Sequence, residues 1–126
     1  MTRLVLDAGA FIAADRHDLR LLALLDRAHA RSIPLLTSSP VVAQVWRNGR
    51  LQANLARLLR GVQIIAPDDA AARRAGLLLA KTGTSDVVDA FVAGLCRSTD
   101  ALLTSDPDDL SLLSHASGVD PEIVSI

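Results

Sequence analysis

The chain has 126 residues, half of them hydrophobic, with a mean hydropathy of +0.32 and a formal net charge of −1. That length and apolar content describe a single domain, residues 1–126, with a buried core, and exclude a disordered chain. The near-neutral charge excludes a strongly basic nucleic-acid module, and two Phe, one Trp and no Tyr leave too little aromatic surface for a base-stacking platform.

Among the charged residues the usage is one-sided: every basic residue except Lys81 is Arg, and every acid except Glu122 is Asp. Arginine suits bidentate contact with phosphate or carboxylate, although GC-rich coding gives the same bias. No apolar run approaches the roughly 18 residues of a membrane span; "LLALL" at 21–25 is typical of the longest. The N-terminus enters an apolar run directly, without a secretory signal pattern, so an intracellular, cytoplasmic location is expected. The single Cys96 lies in an apolar helical pattern and reads as a small buried hydrophobe.

In chain order, "RLVLD" (3–7) reads as a buried strand, and the short "AGAF" after it allows close backbone approach. "DLRLLALLDRAHA" (18–30) carries a helical apolar stripe at 19, 22, 25 and 28. "IPLLTS" (33–38) is strand-like. A helix follows in which Ser39 caps, Pro40 opens and Gly49 stops. "LQANLARLLRG" is a second helix ending at Gly61, "VQIIA" (62–66) a third strand, and Pro67 leads into a helix over 68–81. Gly83 breaks the chain, Thr84 or Ser85 caps, and "DVVDAFVAGLCR" is helical. "ALLT" (101–104) is a fourth strand, a short helix starts at Asp106, and "EIVSI" is the fifth strand. This alternation predicts a three-layer α/β/α sandwich with a mostly parallel five-stranded sheet.

Active sites in such sheets lie beyond the carboxyl ends of the strands. Asp7 ends the first strand and Asp106 follows the fourth, just past Thr104 and Ser105. Asp86 and Asp89, three residues apart, share one helix face. Four carboxylates on one rim repel one another unless a hard divalent cation joins them, and all-oxygen ligands favour Mg²⁺ or Mn²⁺. Each acid also has a structural reading. Asp106-Pro107-x-Asp109 is an N-cap signature, and Asp86, Asp108 and Asp109 suit the first turn of a helix. Asp89 sits among apolar neighbours and needs a partner, whereas Asp7 has no evident capping role.

"RLVLDAGAFIA", "TSDVVDAFVAG" and "LLTSDPDDL" together resemble the PIN domain family, and in particular the VapC-like ribonuclease toxins of type II toxin–antitoxin systems. The resemblance implies a PIN-like parallel sandwich and an Mg²⁺- or Mn²⁺-dependent endoribonuclease that leaves a 3′-hydroxyl and a 5′-phosphate. Its acids fall on Asp7, Asp89 and Asp106. Asp86 is an extra or alternative ligand, Asp108 and Asp109 assist through water, and Thr104 supports the site. It further implies a small antitoxin partner wrapped over the apolar helices, and a homodimer. Two departures stand out. Ala8 and Gly9 replace the usual Thr or Ser and then Asn or Ser, and Gln44 stands where the family has a Glu. Gln44 offers a carbonyl oxygen without the charge, which lowers the expected metal affinity.

Arg47 and Arg50 are candidate phosphate contacts or, equally, a solvated helix end. The rival from another class is a PIN-fold binding module whose acidic site has decayed, favoured by Ala8 and Gln44. A haloacid-dehalogenase-type phosphatase needs an Asp at position 9, which is Gly, and Lys81 is misplaced for a response-regulator receiver. His17, His29, His115 and Cys96 show no zinc-ligand spacing.

Overall fold

In the computed structural model, which describes residues 1–126, five strands form one all-parallel sheet in the order β3-β2-β1-β4-β5. The strands are β1 Leu4–Leu6, β2 Leu35–Ser38, β3 Val62–Ile65, β4 Ala101–Thr104 and β5 Glu122–Ser125. The helices are α1 Ala8–Asp15, α2 Leu19–Ala30, α3 Ser39–Val45, α4 Ala53–Arg60, α5 Asp69–Thr82, α6 Val87–Leu95 and α7 Pro107–Ala116. A 3₁₀ turn, Gly49–Leu51, joins α3 to α4. No helix is long and apolar enough to cross a membrane.

From β1 the chain steps outward through β2 to β3, then returns to lay β4 on the other side of β1. Parallel crossovers are right-handed, so reversing direction moves the connecting helices to the opposite face. Accordingly α1 packs against α2, α3 and α4, while α5, α6 and α7 pack against one another. The expected three-layer sandwich is observed. Burial follows position: "LVL" of β1 and "ALLT" of β4 are wholly buried between the layers, whereas the edge strand β5 is only half-buried. Leu4, Leu6, Phe11, Leu102, Leu103, Leu110 and Leu113 make up much of the core.

Several boundaries differ from the sequence expectation, each for a local reason. The stretch after Asp7 is helix α1 rather than a loop of close approach. "AGAFIAAD" carries no polar stripe to mark a helical period, because Ala10, Phe11 and Ala14 are all buried. α3 stops at Val45 and α4 begins only at Ala53, with Gln52 organising the gap. Its Oε1 accepts from the Arg47 and Asn48 N–H groups at 2.8 and 2.9 Å, and its Nε2 donates to the Val45 carbonyl at 2.9 Å. One side chain thus satisfies backbone that regular structure would otherwise pair. α6 is capped by Asp86, not by Thr84 or Ser85. Gly83 does end α5, at φ +69, in the left-handed region where glycine is strain-free. Cys96 is buried as expected, and burial, with a smaller push from Asp100, moves its thiol up to about 12.

Candidate metal centre

β1 and β4 are neighbours at the centre of the sheet, with Leu6 paired to Leu103. The chain leaves the two strands towards opposite helical layers, and such a switch point opens a crevice beyond their carboxyl ends. The acids are set there by helix N-termini. Asp7 is the N-cap of α1, Asp86 of α6 and Asp106 of α7, while Asp89 and Asp109 stand in the first turns of α6 and α7. Unpaired N–H groups and the macrodipole make the first turn of a helix favourable for negative charge. Three such ends offset part of the repulsion among five carboxylates.

Two of the acids serve as caps. Asp86 Oδ1 accepts from the Asp89 N–H at 3.0 Å. Asp7 Oδ1 accepts from the Ala8 N–H at 2.8 Å, so the expectation that Asp7 has no capping role is corrected by the helix that follows it. The other oxygen of Asp7 accepts the Thr104 hydroxyl at 2.8 Å, and that hydroxyl accepts the Asp106 N–H at 2.9 Å. Asp106 occupies the N-cap position of α7 but makes no capping hydrogen bond with its side chain. Its carboxylate is left free for the cluster.

One carboxylate oxygen each from Asp89, Asp106 and Asp109 lies within 4.8 Å of the others. Asp89 is buried at 6 % exposure, whereas Asp106 and Asp109 are exposed, so the cluster has a buried floor and an open mouth. The sequence ranked Asp7 in the first line and Asp109 as a helper; the structure puts Asp109 in the tight set. A signal for this was present, since the D-x-x-D spacing of Asp86–Asp89 recurs at Asp106–Asp109. Asp7 and Asp86 act on Asp89 and Asp106 through their charge, and Asp108 is exposed outside the trio. Gln44 is exposed on α3. The Arg47 guanidinium donates to the Ala43 and Trp46 carbonyls at 2.8 Å each, closing the end of α3, so the solvated helix-end reading describes it. An open cavity of about 590 Å³ among α5, α6 and α7 is lined by none of the clustered acids.

Asp89 carries the strain of the arrangement. Burial first, and then the charges of Asp7, Asp86, Asp106 and Asp109, push its carboxyl up to about 7. Asp106 is raised as well, by desolvation and then by Asp109. An oxygen-only donor set of this span and charge fits a hard divalent cation.

The sign of the pH effect follows. The folded value of Asp89 lies above its unfolded value near 3.9, so its contribution to stability is full below about pH 4 and is lost as pH rises through 7. The metal-free protein is therefore expected to melt higher at pH 5 than at pH 8, with Mn²⁺ raising the melting temperature at pH 8 far more than at pH 5. Differential scanning fluorimetry in EDTA and in Mn²⁺ measures both. An equal response to Mn²⁺ at the two pH values contradicts the assignment.

The PIN domain family model matches residues 4–115, and the chain belongs to that family. No curated protein matches the sequence significantly. Among solved structures, the VapBC2 complex of Rickettsia felis, bound to a DNA fragment from its promoter, shares the fold with a TM-score of 0.68. The match has 15% identity and covers 96% of this chain and 98% of that chain, a likeness of fold.

Proposed function

We propose that this PIN domain is a metal-dependent endoribonuclease of the VapC-like toxin type, cutting RNA at the Asp89–Asp106–Asp109 cluster. The observation that carries this reading is the convergence of three carboxylate oxygens within 4.8 Å at the switch point of the sheet.

Asp89, Asp106 and Asp109 hold Mg²⁺ or Mn²⁺, and Asp7 and Asp86 add negative charge while fixing the starts of α1 and α6. The bound ion supplies a water nucleophile and screens the charge that develops on the phosphodiester. Asp106 and Asp109 are exposed and form the side that an RNA strand would approach, with buried Asp89 as the floor. Gln44, exposed on α3, presents a neutral amide where the resemblance expects an acid, so this position adds no negative charge. The partners consistent with this reading are an RNA substrate, a small antitoxin protein and a second copy of the chain. The likeness to a toxin–antitoxin complex supports the antitoxin.

The test is cleavage of a 5′-labelled single-stranded RNA by the purified protein. Cleavage is expected with Mn²⁺ and none is expected in excess EDTA. Undiminished cleavage in EDTA contradicts the metal role, and no cleavage in either condition favours the binding-module alternative.

A further inference from the structure

Gly9 lies in the first turn of α1, two residues after Asp7. A Cβ built there would sit 2.5 Å from Ser105 Oγ, 2.8 Å from Ser105 Cβ and 3.0 Å from the Ser105 backbone nitrogen. Backbone freedom does not explain the glycine, because only Gly83 and Gly118 among the glycines have positive φ. The other glycines inside helices, Gly76 and Gly94, face open space. A helical glycine costs roughly 0.5–1 kcal/mol relative to alanine, and at Gly9 that cost makes room for Ser105.

Ser105 stands between Thr104 and Asp106. The Thr104 hydroxyl, fully buried, donates to Asp7 Oδ2 and accepts from the Asp106 N–H. The turn after β1 and the turn after β4 are thus joined at two consecutive points, Thr104 to Asp7 and Ser105 to Gly9, and the Thr104 hydroxyl also holds the Asp106 N–H within the second turn. α7, with Asp109, starts directly from the second turn.

We infer that the Gly9–Ser105 contact and the Thr104 hydroxyl form a clasp that sets the spacing of Asp106 and Asp109 from Asp89, and through it the metal affinity. This rests on the metal-site reading above. Rotation of the Ser105 hydroxyl does not relieve a side chain at position 9, because the Ser105 Cβ and nitrogen stay within 3.0 Å. The turn and α1 must separate, because the 2.8 and 3.0 Å approaches to the Ser105 Cβ and nitrogen fall short of an ordinary contact at 3.4 Å. Groups that orient metal ligands typically change affinity about 10- to 100-fold when altered.

The experiment is titration calorimetry of the full chain with Mn²⁺, with thermal melts to confirm folding. Gly9→Ala is expected to bind about 10-fold or more weakly. The double variant Gly9→Ala/Ser105→Gly is expected to recover most of that loss, since it removes the Oγ and Cβ that the new methyl meets. Should Gly9→Ala fail to fold, Thr104→Val against Thr104→Ser tests the same clasp, with affinity kept only where the hydroxyl remains. Wild-type affinity in Gly9→Ala, an unrescued double variant, or equal affinities in the Thr104 pair overturn the clasp while leaving the metal site standing. A wild-type protein that binds no Mn²⁺ overturns both.

Discussion

Asp89→Asn is expected to lower Mn²⁺-dependent RNA cleavage by on the order of 10³-fold, a loss of about 4 kcal/mol of transition-state stabilisation, and at the same time to make the metal-free protein more stable at pH 8. Both effects come from one carboxylate. Asp89 is buried, faces four other acids, and holds its proton up to about pH 7. The amide has the same shape without the charge, so it removes a ligand and also the repulsion. A relief of 1–2 kcal/mol corresponds to a melting temperature roughly 3–10 °C higher. At pH 5 the wild-type carboxyl is already protonated and the gain should vanish. A purely structural acid behaves otherwise: its amide variant melts lower at both pH values.

Arg3→Ala is expected to cost about 3–5 kcal/mol of stability while leaving Mn²⁺ affinity unchanged, because it breaks a buried pair at the far end of the sheet. Arg3 Nε and Nη2 donate to Asp100 Oδ1 and Oδ2 at 3.0 and 2.7 Å, and Nη2 also reaches the Leu95 carbonyl at 2.9 Å. The Arg97 N–H completes the set at 2.7 Å from Asp100 Oδ2. Asp100 is 1 % exposed, so without Arg3 its charge is stranded. Burial by itself would raise the Asp100 carboxyl, but the bonds from Arg3 and Arg97 outweigh it and hold it below its ordinary value. Its contribution is therefore present above about pH 4 and lost as pH falls through the lowered value, the opposite slope from Asp89. The pair ties the amino ends of the two central strands, where the Ala101 N–H also donates to the Arg3 carbonyl at 3.0 Å. Urea unfolding measures the loss. A change under about 1 kcal/mol would show that the pair is only a solvated surface contact.

The alternation of strands and helices was readable because each strand is a short apolar run bounded by turn residues, and α2 and α5 have clear polar faces. α1 was not readable, because a helix buried on most sides loses the periodicity that identifies it. That omission hid the capping role of Asp7. The acids themselves stood out by their places after β1 and β4 and at the start of α6. The closeness of Asp109 to Asp89 did not, since it depends on where the first turn of α7 meets α6. Asp106 shows why a capping signature and a ligand signature look alike in sequence: both place an acid just before a helix, and the structure shows only that the Asp106 side chain makes no capping hydrogen bond. Gly9 read as a departure from a family pattern. Its packing partner, Ser105, lies almost a hundred residues away, and no local rule connects the two.

A crystal of the protein grown with excess Mn²⁺ and measured at the manganese absorption edge tests the metal centre most directly. An anomalous peak coordinated by the carboxylates of Asp89, Asp106 and Asp109 is the expected result. Well-ordered density for these side chains with no peak among them, or with the ion bound at other residues, contradicts it.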